Sequence, residues 1–291
     1  MDSPRRTSGT SLNGSKSMCR WVAYAGRAVR LEDVITRPSR SLVQQSLAAR
    51  QSKTVTNGDG FGIGWYGDRA VPGVYREISP AWSDENLLSL CAQISAGCFF
   101  AHVRAATVGG TSRANCHPFA YGPWLFMHNG QIGGFAQIRR RIEAMIPDSL
   151  YCARRGSTDS EAIFLIALGM IERDGPVEAV RATLAAIVDE MQAAGIAEPL
   201  RFSAALSDGR WLYAFRWSSD ALAPSVYFRP SVGGLTIVSE PIDDSPDGWC
   251  DLRGGQVLTA ERVGGSVASS IAAFEVRTPS ELPIQPATVA P

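Results

Sequence analysis

The stretch Met18-Cys19-Arg20-Trp21-Val22-Ala23-Tyr24-Ala25 sets a thiol directly in front of an apolar run. Trp21 to Ala25 reads as a strand, since aromatic, β-branched and small apolar side chains suit a pleated, buried surface. Met18 holds the position of an initiator methionine. If translation starts there and the methionine is trimmed, the mature chain begins with Cys19. An N-terminal cysteine carries a nucleophilic thiol and, on the same residue, an α-amine whose reference pKa of roughly 8 suits proton transfer near neutral pH. Residues 1–17 stand apart: Ser, Thr, Gly and Asn dominate, with Arg5, Arg6 and Lys16 set against Asp2. Arg5-Arg6 is followed by no apolar core of the kind an export signal needs. Residues 1–18 are therefore expected to be a disordered leader or the product of a start assigned too early, with a self-cleaved pro-segment as the competing explanation.

Downstream lie His102-Val103-Arg104, Asn115-Cys116-His117-Pro118, His128-Asn129-Gly130 and Thr158-Asp159-Ser160-Glu161. Attack of a thiolate on an amide carbonyl creates a negative oxygen that preorganised donors must meet. Asn129 supplies a side-chain amide, and Gly130 can present its backbone N–H with no Cβ in the way. A guanidinium fork grips a carboxylate and a carboxylate accepts from an ammonium, so Arg104 and Asp159 together can hold the zwitterionic head of an amino acid. A head held there with its side-chain amide at the thiol describes glutamine or another γ-glutamyl amide.

Blander readings apply to the same residues. Asn129-Gly130 alone reads as a type I′ hairpin turn. Cys91, Cys98, Cys116, Cys152 and Cys250 read as small buried hydrophobes. His102, His117 and His128 could join Cys116 at a metal, but no Cys-x-x-Cys or His-Glu-x-x-His spacing is present, so no metal is expected and supporting roles around the site are assigned to the three histidines.

With Asn57-Gly58-Asp59-Gly60-Phe61-Gly62-Ile63-Gly64-Trp65, Ala105-Ala106-Thr107, Phe119, Gln131-Ile132 and Ser157 added, this ordered set resembles the class II glutamine amidotransferases of the N-terminal nucleophile superfamily. The likeness spans residues 19–261. It implies Cys19 as nucleophile, Asn129 and Gly130 as oxyanion hole, Arg104 and Asp159 as ligands of the α-carboxylate and α-ammonium, and Thr107 lining the glutamine pocket. It is similar in detail to a short, stand-alone branch that includes the ergothioneine-pathway γ-glutamyl amidase and a glutathione-degrading homologue. Members fused to synthases often carry an aromatic residue and a histidine around the arginine motif, where this chain has Ala105 and Val108, which argues against coupling to a synthase through those positions. No cofactor is implied. The expected activity is hydrolysis of a γ-glutamyl amide through a Cys19 thioester, with a synthase or peptidase as a candidate partner. The alternatives are an ammonia-supplying subunit that requires a separate synthase and a catalytically silent glutamine-binding module.

Composition bounds these expectations. The 291 residues, 45% hydrophobic, can bury a full core. Twenty-eight basic residues balance twenty-eight acidic ones, which argues against a nucleic-acid surface. No apolar run reaches the roughly eighteen residues of a membrane span. The six cysteines lack disulfide-framework spacing, which suits a reducing cytoplasm. Oligomeric state is not legible.

Periodicity places the motifs on elements. Gly60 to Tyr66 reads as a strand made glycine-rich where backbone or ligand approaches closely, and Gly97 to Val103 and Trp124 to Met127 as buried strands that deliver Arg104 and Asn129 at their ends. Helices are predicted through Phe135, Ile138, Ile142 and Met145, through Ile163, Ala167 and Ile171, and from Val177 to near Gly195. Thr158 to Glu161 reads as a capping box. Further strands are predicted around Phe202, Trp211, Val226, Leu235 and Gln256. An α+β fold with two sheets between helices follows, and the resemblance implies the four-layer αββα sandwich of N-terminal nucleophile hydrolases. The predicted domain covers residues 19–275, followed by a Pro-rich tail, residues 276–291.

Overall fold

A computed structural model describes residues 19–48, 57–105, 110–245 and 248–277. The leader (residues 1–18), Thr107 and the tail from residue 278 onward lie outside the described residues. The strands in chain order are β1 (Arg20–Arg30), β2 (Phe61–Trp65), β3 (Gly73–Glu77), β4 (Ser95–Val103), β5 (Phe119–Tyr121), β6 (Trp124–Gln131), β7 (Arg201–Ser207), β8 (Trp211–Ser218), β9 (Tyr227–Ser231), β10 (Gly234–Val238), β11 (Cys250–Asp251), β12 (Gln256–Val263) and β13 (Ser266–Ala273). The helices are α1 (Glu32–Ile35), α2 (Leu42–Leu47), α3 (Glu85–Gln93), α4 (Phe135–Glu143), α5 (Asp148–Tyr151), α6 (Asp159–Asp174) and α7 (Pro176–Ala193).

Two antiparallel sheets form, ordered β11-β9-β10-β1-β4-β2-β3 and β13-β12-β8-β7-β6-β5. Successive side chains of a strand point to opposite faces, and in the central strands β1, β4, β6 and β7 both faces are largely buried, which is why these are apolar runs without polar alternation. In β1, Trp21, Ala23 and Ala25 face the space between the sheets, while Val22 and Tyr24 pack outward with residues of α1, α2 and α3. In β6, Leu125 and Met127 face inward and Phe126 packs outward against α4, α6 and α7. Helices outside, two sheets inside: the αββα sandwich expected from the sequence is the fold observed. Phe274 and Val276, beyond β13, are also buried in the outer cluster.

The glycines of β2 have the expected cause. A Cβ at Gly62 would lie 2.2 Å from the carbonyl oxygen of His117, so only glycine lets the His117-Pro118 segment cross this strand. By contrast, the hairpin reading of Asn129-Gly130 is overturned. Both residues sit inside β6, Asn129 opposite Ser203 and Gly130 opposite Phe202 of β7. Strand pairing continues to Gln131, so the backbone bonds that would close a turn go to the neighbouring strand instead. Asn129 is correspondingly two residues inside its strand rather than at the tip.

Candidate active site

The two-residue period of the strands assembles the site. Cys19 continues the inward-facing series of Trp21, Ala23 and Ala25, and Arg104 continues that of Cys98 and Phe100 in β4. Asn129 continues that of Leu125 and Met127. Because Arg20 pairs with Val103 across β1 and β4, Cys19 emerges beside Arg104 and Ala105. The contacts follow: the Ala105 N–H donates to Cys19 Sγ at 3.4 Å, and the Asn129 Nδ2 donates to the Cys19 carbonyl at 3.0 Å. Arg104 and Asn129 are buried, at 3% exposure each, whereas Cys19 keeps partial access to solvent.

Gly130 follows with φ +155°, and a Cβ there would lie 1.9 Å from the Arg201 carbonyl oxygen. Glycine is thus required by the approach of β7 as well as by any ligand. Asp159 opens α6 and reaches the end of the same strand segment: its Oδ2 accepts from the Ile132 N–H at 2.9 Å and its Oδ1 from the Ser160 N–H at 2.8 Å. A carboxylate at the first turn of a sixteen-residue helix is also favoured by the helix dipole. Contact by contact, the thiol, the arginine strand end, the Asn129-Gly130 pair and Asp159 form one connected group at the ends of β1, β4 and β6 and the start of α6.

Comparison with known proteins shows the family. The profile of the glutamine amidotransferases class-II matches residues 32–230. The chain belongs to the class II glutamine amidotransferases. It is 32% identical over 238 residues to the gamma-glutamyl-hercynylcysteine sulfoxide hydrolase of Mycolicibacterium smegmatis, covering 81% of this chain and 92% of the relative. It is 38% identical over 167 residues to the probable glutamine amidotransferase DUG3 of Saccharomyces cerevisiae, covering 54% of this chain and 47% of the relative, so it spans about half of that protein's length. A solved glutamine aminotransferase class-II domain protein from Silicibacter pomeroyi superposes with TM-score 0.69 at 40% identity, over 88% of this chain and all (100%) of the other. The glutamine phosphoribosylpyrophosphate amidotransferase of B. subtilis shares the fold alone, with TM-score 0.59 at 13% identity over 89% of this chain and 50% of the other.

In this amidotransferase the thiol is a weak acid at rest. Burial pushes the Cys19 pKa up, and the Ala105 N–H and the charges of Arg104 and Arg20 pull it only partly back. A protonated thiol needs a base to become a nucleophile. Among the described residues its hydrogen-bond partners are the Ala105 N–H and carbonyl, neither of which accepts that proton in reaction.

The three histidines lie beneath the site rather than on the thiol. His128 points away from Asn129 to the helix face, where Nδ1 meets Ser160 Oγ at 2.9 Å and Nε2 meets the Arg201 carbonyl at 3.3 Å. A carbonyl only accepts, so Nε2 carries the proton and Nδ1 accepts from the Ser160 hydroxyl. His128 therefore ties β6 to the helix that carries Asp159. The rings of His102 and His117 sit 4.2 Å apart, buried between the sheets. Among the described residues, none of their ring nitrogens has a hydrogen-bond partner, and no group of three or more metal-ligating side chains occurs.

Burial holds the pKa of all three below the usual imidazole value, that of His102 at about 3. The unfolded chain, with histidines near 6.5, then binds more protons than the folded one between about pH 6.5 and 3. Stability is present above pH 6.5 and is lost as pH falls. His102 alone is expected to cost about 2 kcal/mol between pH 6.5 and 5. Urea unfolding at pH 7.5 and pH 5 reads this directly, and equal free energies at the two pH values would contradict it.

Two expectations are corrected here. The Thr158 hydroxyl caps α6 by accepting the Glu161 N–H at 3.2 Å, but the Glu161 carboxylate does not close the box on Thr158. It accepts instead from the N–H groups of Arg155 and Gly156, at 3.0 and 2.7 Å. Cys91, Cys98 and Cys116 are buried as expected, whereas Cys152 and Cys250 are exposed. Cys152 follows the one-turn helix α5 and Cys250 lies on the edge strand β11, where little packs over either.

Proposed function

We propose that this chain hydrolyses a γ-glutamyl amide, in glutamine or in a larger γ-glutamyl compound, through a thioester on Cys19. One observation carries the reading: the Cys19 thiol touches Ala105, next to Arg104, while its carbonyl holds the Asn129 amide. In this reading the α-amine of Cys19 takes the thiol proton, and sulfur attacks the γ-carbonyl carbon. Asn129 Nδ2 and the Gly130 N–H meet the oxyanion, which a single such donor typically favours by about 10²–10³ in rate. The intermediate collapses with transfer of the proton to the departing nitrogen, releasing ammonia or an amine. Water then attacks the thioester, with the α-amine again accepting a proton, and glutamate leaves. Arg104 and Asp159 hold the α-carboxylate and α-ammonium, Thr107 lines the same pocket, and His102, His117 and His128 support these groups from below. The catalytic unit of this reading begins at Cys19, and six free thiols fit a reducing cytoplasm.

The γ-glutamyl-hydrolase name of the relative covered over 92% of its length supports hydrolysis of a γ-glutamyl compound. No helix among the described residues is long and apolar enough to cross a membrane. Purified protein with a checked N-terminus should release glutamate from glutamine or from one of a panel of γ-glutamyl peptides and amines. Turnover that arises only on adding a synthase or peptidase would replace this reading with the partner-dependent one, and binding with no turnover would leave a sensor.

The clamp has its own test. Arg104→Lys is expected to raise KM substantially with a smaller change in kcat, because an ammonium keeps the charge but loses the bidentate fork. Unchanged steady-state kinetics would remove Arg104 from the clamp.

A further inference from the structure

The residue after the nucleophile has the opposite parity to Cys19, so its side chain turns to the outer face of the sheet. Arg20 is nonetheless only 1% exposed. Its Nε donates to Glu240 Oε2 at 2.9 Å, and its Nη1 folds back to donate to the Cys19 carbonyl at 3.0 Å. Glu240, beyond the end of β10, is equally buried. It is gripped from the other side by Arg40, whose Nη2 donates to Oε1 at 2.5 Å. Gln45 of α2 fastens the backbone around this pair, donating to the carbonyls of Arg40, Glu240 and Pro241 at 2.9, 3.3 and 3.1 Å. The Cys19 carbonyl therefore has a donor on each side, Arg20 Nη1 from the outer layer and Asn129 Nδ2 from the other sheet.

We infer that the series Arg40–Glu240–Arg20, in which Glu240 and Arg20 are buried and Arg40 is partly exposed, is a positioning device for the nucleophile, fixing the Cys19 carbonyl and, through it, the Asn129 amide. Removing two charges from water offsets most of what their attraction contributes, so such a pair adds little net stability compared with apolar residues of the same volume. What it supplies is direction. A guanidinium offers two donors at a fixed angle, one for the carboxylate and one for the carbonyl, an arrangement a lysine cannot reproduce. An amide nitrogen carries two protons; with one spent on the Cys19 carbonyl, the other is aimed at the place where charge develops beside the thiol. The same arginine brings a positive charge toward the thiol, alongside Arg104, and with Cys116 as the other titrating neighbour.

This inference rests on Cys19 being the nucleophile of the proposed hydrolysis. Arg20→Gln and Glu240→Gln test it, each compared with wild type in γ-glutamyl turnover, in urea unfolding, and in the pH dependence of Cys19 alkylation by a neutral haloacetamide followed by peptide mass. Both variants are expected to lose roughly 10- to 100-fold in kcat with KM changed much less, since a small misplacement of reacting groups is sufficient. The alkylation midpoint should rise by about half a pH unit in Arg20→Gln, which removes the cation, and should not rise in Glu240→Gln, which keeps it. Lower stability with wild-type kcat and an unmoved midpoint in both would reduce the series to a structural role and overturn the inference. If Arg20→Gln does not fold, Glu240→Gln decides alone, and wild-type kcat in it is the overturning result. If the wild type turns over no γ-glutamyl compound, the substrate reading fails, while an unmoved alkylation midpoint in Arg20→Gln still overturns the present inference and a raised one supports it.

Discussion

Asn129→Ala is expected to lower kcat by roughly 10²–10³ while KM changes little. The side chain is buried in β6 on the face toward the other sheet, and its Nδ2 already donates to the Cys19 carbonyl at 3.0 Å, so it is held before substrate arrives. A donor fixed in advance needs no reorganisation when charge appears on the substrate oxygen, and its loss is felt at the transition state rather than at binding. Because β6 runs on through Gly130 to Gln131 paired with β7, the backbone should survive truncation of one side chain. Steady-state kinetics on the glutamyl substrate found in the screen, with a thermal melt to confirm folding, decides the point. Preserved kcat with raised KM would mean that Asn129 only binds.

A chain that still carries Ser17-Met18 ahead of Cys19 is expected to turn over at least roughly 10²-fold more slowly than one beginning at Cys19. The reason is the resting thiol. Burial raises its pKa, and its partners among the described residues are a backbone N–H and a backbone carbonyl of Ala105. The histidines are an unsuitable substitute: His128 is committed to Ser160 and the Arg201 carbonyl, and His102 is held neutral between the sheets with a pKa of about 3. A free α-amine on Cys19 supplies the missing base, and a peptide nitrogen does not. The unprocessed chain should still bind a γ-glutamyl ligand, since Arg104, Asp159 and Asn129 are untouched. Intact mass and turnover on the same two preparations check this.

What could be read from residues alone was whatever depends on local period. The apolar runs Trp21 to Ala25, Gly97 to Val103 and Trp124 to Met127 read as strands, and the chemistry of the adjoining motifs picked out Cys19, Arg104 and Asn129. That these three face the gap between the sheets follows from parity only once the two sheets are in view. What escaped depends on partners far along the chain. Asn129-Gly130 has the composition of a turn, and only the pairing with Ser203 and Phe202 makes it strand interior. Glu161 has the spacing of a capping box, but the N–H groups of Arg155 and Gly156 in the preceding loop claim its carboxylate. Arg20 received no role from the sequence, because its partner Glu240 lies 220 positions later. Its one local signal was a long cationic side chain at an outward position of a strand buried on both faces, where a charge requires a partner. The glycines of β2 were legible as a close approach, though not that His117-Pro118 was the visitor.

The central claim is that Cys19 forms a glutamyl thioester. It is tested most directly by acid-quenching the enzyme during turnover of a γ-glutamyl substrate and mapping the peptide that carries the acyl group. Acid keeps the neighbouring α-amine protonated and so prevents migration of the acyl group onto it. A single glutamyl adduct on a peptide that begins at Cys19, present in the acid quench and absent in Cys19→Ala, is the predicted result. Continued turnover by Cys19→Ala, or an adduct on another residue, would contradict the account.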